Sequence, residues 1–544
     1  MFSCALATLV LASCSDIEKG EKPGPNDGAD EAYVSINVES KAQSRASGEN
    51  LGENESGITA LYLLTFNSSG YALEIPKSSP KVFYTEILPE AGDDYIAMSQ
   101  TAKISGSSNG MLVIANPGTK LLAAIRSVSG TTTYNSFNKA ITEVLHTEIT
   151  DTPSAAMVKG FAMINSATLP ATPAPGNVIE SGLIDISAQI KIVGETYPTE
   201  QEAKEAAEAN KITVKIERLA SKIALKVKVG GVNALPAGAK FTFGGWVLDV
   251  INTEFYPWAK QTLLTVSHAP QNFYTYNFYT EDPNYSIGYT NPADMPFTYN
   301  TVNTAGDYAP VIQAPYGDWS ADEDILYCIE NTMLDTKQLW GTATRVIIKG
   351  TYYPETDWDN DWFHFDGVNY ETLGDLKAAY TVANTADPDS PLALACKEML
   401  RIVNITNNAP PAADFIDLTQ VDLDNVPNGG EQLKREHNPA NTGGNAGNMI
   451  RWYQDGLSYY YYEIRHDNEA TTTNGFAKYG MVRNNWYSLT LGKVNGAGTP
   501  WYPDVTDPGP GDPDPTDPID DTEGFLGMDI EVGPWIIWSN EIEI

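Results

Sequence analysis

The sequence predicts a mainly β protein, and two observations carry that expectation. The first is composition: 29 Tyr, 11 Trp and many Thr, Val and Ile, with only 19% charged residues, favour extended structure over helix. The second is pattern, since short stretches in which apolar and polar residues alternate recur along the whole chain,. An apolar content of 42% is enough for globular folding, and 544 residues exceed one ordinary core. Two large domains with tails are therefore expected.

The first clear strand is the alternating run AYVSINV, which places Ala32, Val34, Ile36 and Val38 on one face, as a half-buried strand would,. A polar loop over 41–54 follows, with Arg45 inside it. Strands are expected next at 58–66, 111–115, 161–164, 183–193 and 212–229. Helices are few. Thr199 and Glu202 form a capping box that opens the Ala/Glu/Lys run to 209, and helices are also expected over 135–146 and 390–400, the latter with a Ser cap and Pro391 in the first turn,. Gly230-Gly231 and the LPAG at 235–238 mark the boundary between a first domain over 46–230 and a second over 231–503,. Second-domain strands are expected at 241–250, 325–330, 345–352, 459–464 and 486–491. A linker at 504–527, rich in Asp-Pro and Gly-Pro, fits neither helix nor strand, and beyond it lies one more alternating stretch, 528–544,.

The N-terminus reads as an address. MFSCALATLVLAS is an apolar run too short to span a bilayer, and it ends in Leu11-Ala12-Ser13-Cys14,. That ending resembles the bacterial lipobox, whose Cys thiol receives a diacylglycerol; two or three chains on one residue give stable anchoring. Residues 1–14 are then the signal with its lipobox, and 15–45 a tether and propeptide that carries the first strand. No Lys or Arg precedes the apolar run, which leaves the true start codon open.

A formal charge of −36 repels nucleic acid and anionic headgroups, so neither is an expected partner,. No GxxxxGK[ST] pattern occurs, nothing in the sequence positively supports an enzyme, and no cofactor is expected,. The five His are scattered and no CxxC pair exists, which argues against zinc,. Asp357, Asp359 and Asp361 alternate as in a calcium loop, but Trp362 and Val368 stand where an EF-hand needs Gly and Glu, so a solvated loop is the simpler reading,. Cys328 and Cys396 could be bridged or could be two buried thiols,. His364 reads as a packed strand residue. The run Tyr459–Tyr462 suits either a two-sided strand or a sugar-binding platform.

Several stretches together resemble the Bacteroidia-type (type V) fimbrillins, closest to the Mfa-type shaft subunit. They are LLTF at 63–66, VIANPG at 113–118, VKIERLASKIAL at 214–225, GWVLDVINTEFYP at 245–257, YCIEN at 327–331, YGMVRNNWYSLTL at 479–491, the Asp-Pro linker and MDIEVGPWIIWSNEIEI at 528–544. The resemblance implies two β-sandwich domains of transthyretin-like topology with a few short helices, plus a C-terminal donor strand on the Pro/Asp-rich linker. It implies export as a lipoprotein, anchoring in the outer membrane through Cys14, and removal of the propeptide by an Arg-specific protease between Arg45 and Ala46. It also implies polymerisation by strand exchange into an extracellular fimbrium that supports adhesion, with accessory tip and anchor subunits. In that scheme Ala32, Val34, Ile36 and Val38 leave a groove. Met528, Ile530, Val532, Ile536, Trp538, Ile542 and Ile544 of an identical subunit fill it. A lipid-anchored carbohydrate-binding protein, or a fimbrial tip or anchor adhesin, is the alternative.

Overall fold

Alternation over residues 31–40 builds the strand on which the first sheet is organised. The chain is described by a computed structural model over residues 30–40, 57–142 (without 92 and 94), 161–229 (without 171, 173 and 195), 234–264, 278–287, 296–302 (without 300), 310–311, 324–407, 412–442, 449–467, 475–519 and 526–534. The protein is mainly β with a few helices. Among the described residues, no helix is long and apolar enough to cross a membrane.

The first sheet has nine strands: β1 (Glu31–Ser40), β2 (Leu61–Phe66), β3 (Thr85–Ile87), β4 (Ser99–Ser105), β5 (Gly110–Ala115), β6 (Met163–Asn165), β7 (Ile184–Asp185), β8 (Lys191–Ile192) and β9 (Ile212–Arg218). Their order is β8-β1-β9-β6-β5-β2-β3, with β4 on β1 and β7 on β5. Every residue of β2 and β5 is buried, so these strands read as continuous apolar runs, as strands covered on both faces do. Helix α1 (Thr119–Arg126) buries Leu121 and Ile125, and α2 (Glu200–Glu208) opens on the Thr199/Glu202 capping box,.

The chain passes into the second half through a single residue. Leu219 separates β9 from β10 (Ala220–Val227), yet β9 belongs to the first sheet and β10 to another. With β12 (Ile325–Ile329), β15 (Asn485–Val494) and β16 (Leu526–Pro534), β10 forms a four-stranded sheet ordered β12-β10-β15-β16. A three-stranded sheet, β11 (Lys240–Asp249), β13 (Arg345–Tyr353) and β14 (Leu457–Glu463), shares its core: Ile223, Leu489 and Leu491 from one sheet meet Trp246, Ile348 and Tyr460 from the other. Between β13 and β14 the chain builds a helical body, α3 (Leu373–Ala386), α4 (Pro391–Asn407) and α5 (Gly429–Glu436), with its own core around Phe363, Leu376, Met399, Phe415 and Trp452.

Several expectations need correction. The strand expected over 212–229 is two strands in two sheets, so the chain changes sheet at Leu219, ahead of the Gly230-Gly231 placed as the boundary. The 183–193 stretch holds only β7 and β8, with a turn between. The 135–146 helix shrinks to the turn Tyr134–Phe137, because the Asn138 side chain bonds the backbone N and O of Trp258 (2.8 Å each), and Ile141–Thr142 then pairs with Glu254–Phe255. The 390–400 helix forms and runs on to Asn407. The linker is not free up to Ile519. The carbonyls of Pro515 and Asp517 accept from Gly341 and Trp340 at 2.9 Å, Trp501 Nε1 donates to Asp512 at 2.8 Å, and Val505 and Ile519 are buried. Proline removes donors, not acceptors, so such a segment can still dock through its carbonyls.

Candidate assembly site

β1 is paired on both edges. From Glu31 to Asn37 one edge runs antiparallel to β4, in register Glu31↔Ser105 to Asn37↔Ser99. The other edge is shared: Ala32 and Tyr33 pair with β8, and Ile36 to Ser40 run parallel to β9. Ala32, Val34, Ile36 and Val38 all face the first core. The opposite face, expected to be open, is covered by α2: Tyr33 packs on Ala203 and Ala207, with the Lys204 ammonium 5.1 Å from its ring centroid. Ser35 is buried too. β1 is therefore enclosed on both faces from Glu31 to Ile36 and paired on both edges, while Asn37 is half-buried and Glu39 exposed, and β4 has β1 as its only ladder partner among the described residues.

A polar clamp holds the start of the strand. Glu31, with its side chain 8% exposed, receives Lys77 Nζ at 2.5 Å and Lys103 Nζ at 2.7 Å, and Tyr33 Oη donates to it at 3.0 Å. The same hydroxyl lies 2.6 Å from Glu200, which Lys204 pairs at 2.7 Å. Burial alone would raise the Glu31 pKa, but the hydrogen bonds from Lys103, Lys77 and Tyr33 outweigh it and hold the carboxyl at about 2,. Burial and the neighbouring Glu200 and Glu31 push the Tyr33 hydroxyl up. This cluster escaped sequence reasoning; the only local signal was an acid placed just ahead of the alternating run.

The C-terminal stretch makes a second element of the same kind. β16 runs antiparallel to β15, with Met528↔Leu491, Ile530↔Leu489 and Val532↔Tyr487 in register. Ile530 is buried in the second core and Met528 packs against it. Met528, Ile530 and Val532 thus share one parity on an edge strand of their own chain, and the strand runs through Gly533 to Pro534. Cys14, Arg45, Ala46, Ile536, Trp538, Ile542 and Ile544 lie outside the described residues.

The remaining candidates sit apart. Asp361 spends its carboxylate on Asp455 N (2.9 Å) and Trp452 Nε1 (3.0 Å), while Asp357 and Asp359 are exposed; no group of three metal-ligating side chains occurs among the described residues. Cys328 and Cys396 are free thiols in two different cores, and burial raises both pKa values. His364 bonds Asn369 at 2.7 Å across the hairpin Trp362–Phe365/Val368–Tyr370. Of the tyrosine run, Tyr459 and Tyr460 are buried on opposite faces of β14 in separate clusters, which leaves no continuous platform.

The geometry defines a mainly β protein with one strand, β1, held inside the first sheet and one edge strand, β16, in the second half. Residues 451–541 match the family described as major fimbrial subunit protein type IV, Fimbrillin, C-terminal. That stretch contains β14, β15 and β16, and over it the chain resembles the fimbrillins. The tip fimbrial protein Mfa3 from Porphyromonas gingivalis, solved with a C-terminal truncation, is 11% identical, with 93% of this chain and 100% of that one covered at a TM-score of 0.31. A Parabacteroides distasonis protein described as a candidate for cell adhesion is 12% identical, covering 93% and 99%, at 0.37. One from Bacteroides eggerthii with the same description is 12% identical, covering 94% and 98%, at 0.36. No curated protein matches it.

Proposed function

We propose that this chain is a structural subunit of a surface fimbria and not an enzyme. It is exported as a lipoprotein acylated on Cys14 and reaches the outer membrane. An Arg-specific protease cuts it between Arg45 and Ala46, and it then polymerises with identical subunits by strand exchange. Accessory tip and anchor subunits join the extracellular fibre, which supports adhesion. Two sandwich-like domains of transthyretin-like topology are the architecture this reading assumes; the core shared by the two second-half sheets supports it.

The observation that carries the reading is the position of β1. It is enclosed in the first sheet, yet it precedes the segment that contains Arg45, so one cut there leaves it held by non-covalent contacts alone. While it stays, no other strand can enter; once it goes, β4 and β9 present unpaired edges over an apolar trough, the template that strand addition requires. The incoming strand comes from the C-terminal stretch 528–544 of the next copy. Because Met528–Pro534 already pairs with β15, the part that crosses is the ten residues after Pro534, which carry Ile536, Trp538, Ile542 and Ile544. A head-to-tail contact of this kind does not close on itself and so propagates a filament.

Electron microscopy of the purified full chain before and after cleavage tests the reading. Fibres should form only after the cut, and the fibre-borne chain should begin Ala46-Ser47-Gly48-Glu49. A palmitate analogue should label the wild type and not Cys14→Ala. Fibres built from uncut chains, or monodisperse cut protein, would refute the exchange.

A further inference from the structure

The clamp on Glu31 is a carboxylate site built by parts that stay behind when β1 leaves. Glu31 and Tyr33 depart with the strand; Lys77, on the loop before β3, and Lys103, on β4, remain. Their ammonium groups lie 2.5 and 2.7 Å from one carboxylate, so its loss leaves two like charges converging on one spot. Such a pair favours a replacement anion. Resting on the strand-exchange reading, we propose that Lys77 and Lys103 receive an acidic side chain of the incoming strand, Glu541 or Glu543, and thereby fix its register and direction.

Parity supports this choice. In β1 the apolar residues are Ala32, Val34, Ile36 and Val38, and Glu31 falls on the other face. Past Pro534 the residues Ile536, Trp538, Ile542 and Ile544 have one parity, and Glu541 and Glu543 the other. A strand that seats its apolar parity in the trough therefore brings its carboxylates to the face of Glu31.

Direction follows from position. The lysine pair serves the first residue of β1, whereas both glutamates lie near the far end of the incoming segment. Running in the sense of β1 with Glu541 at the clamp, the segment would seat only Ile542 and Ile544, at the Ala32 and Val34 positions, and leave Ile536 and Trp538 outside the trough. Running in the opposite sense with Glu543 there, it places Ile542 at the Ala32 position, Trp538 at Ile36 and Ile536 at Val38; Asn540 falls at Val34. The incoming strand therefore enters opposite to β1. Because Lys77 is 77% exposed, its share of the attraction is sensitive to salt,.

The test uses the full chain carrying a specific protease site in place of the Arg45–Ala46 bond. After cleavage it is titrated with a labelled peptide of residues 534–544. The peptides are wild type or Glu541→Gln/Glu543→Gln, and the proteins wild type or Lys77→Gln/Lys103→Gln. The amide peptide should bind wild-type protein about tenfold more weakly than the wild-type peptide at low salt, and the variant protein should abolish that difference. A photoreactive group at position 544 should mark the Ser105 end of β4 and not the Ser99 end. Equal binding of both peptides to wild-type protein would overturn the lysine assignment and leave strand exchange standing. Labelling at Ser99 would overturn the direction. No binding of the wild-type peptide at all would take the strand-exchange reading down as well.

Discussion

Arg483 and Glu330 form a buried ion pair where the two halves of the chain meet, with Arg483 Nε donating to Glu330 Oε2 at 2.8 Å and both side chains at most 2% exposed. The same guanidinium donates to the carbonyls of Pro257 (3.0 Å) and Tyr256 (2.9 Å). Beside it, Asn484 Oδ1 accepts from the backbone N of Arg218 at 3.1 Å, and Gln261 Nε2 donates to Glu217 at 2.8 Å. Residues from four of the stretches that carry the fimbrillin resemblance, at 214–225, 245–257, 327–331 and 479–491, thus converge on one polar node around Leu219. What those stretches specify in common is the junction between sheets.

Replacing one partner of a buried pair strands the other charge. Arg483→Met should lower stability by about 3–5 kcal/mol, while the double variant Arg483→Met/Glu330→Gln should recover much of the loss. Urea midpoints of the wild type, Arg483→Met, Glu330→Gln and the double variant check this. Simple addition of the two single losses in the double variant would mean the two groups do not act as a pair.

The apolar face of β1 should matter for the precursor and not for the cut chain once β1 has left. Ile36 is fully buried, so Ile36→Ala should cost the uncut protein about 2–5 kcal/mol,. A chain starting at residue 46 lacks the strand altogether. It should be less stable than the precursor and regain stability when a peptide of residues 30–40 is added. A truncated chain as stable as the precursor would show that β1 is dispensable to the first sheet.

Much of this fold was legible because it rests on local pattern. The alternation from Ala32 to Val38, the Thr199/Glu202 cap and the apolar run of β5 each dictate their element within one window. What escaped depends on contacts distant in sequence. α2 covers the outer face of β1 at Tyr33 although the two lie far apart in the chain, so a strand that reads as half-buried is buried on both sides over its first half. Nothing local in 212–229 announces that Leu219 divides two sheets, since apolar residues recur on both sides of it without a Gly or Pro between. The helical body around α3 and α4 was largely missed; α3 is capped by Thr372 with Asp375 at N3, a shorter acid than the Glu or Gln of the usual capping box,. The strand parity of the candidate site could be read from sequence. The lysines that meet Glu31 could not, because Lys77 and Lys103 are brought to it only by the turn before β3 and the register of β4.

Glu31 gives the precursor an acid-sensitive contact. Its carboxyl sits at about 2 in the folded chain against an ordinary 4.5. The folded state thus holds the ionised form more strongly than the unfolded state does, so the stabilisation is complete above about pH 4.5 and fades as pH falls towards 2. Glu31→Gln should therefore be less stable than wild type near neutrality, and the gap should narrow steadily below pH 4.5. Thermal melts of both proteins from pH 7 to pH 2.5 check this. A gap that is constant with pH would assign the difference to shape and not to charge.

The C-terminal stretch should divide at Pro534 into a part that stabilises its own subunit and a part that joins subunits. Ile530 is buried beside Leu489 and Leu491, and β16 covers the edge of β15. Ile530→Asp therefore places a charge in the second core and should lower the monomer's stability by several kcal/mol. The residues after Pro534 have no such role in this reading, so deleting 535–544 should leave folded, exported and cleaved monomers with an unchanged melting temperature that form no fibres. Trp538→Asp should approach that result, since a charge cannot occupy an apolar trough without a partner. Deleting 528–544 entirely should combine both effects, less stable monomers and no assembly. Electron microscopy and sedimentation of the cleaved proteins, set beside their thermal melts, separate these outcomes. Normal fibres from the chain lacking 535–544 would mean that another segment crosses between subunits.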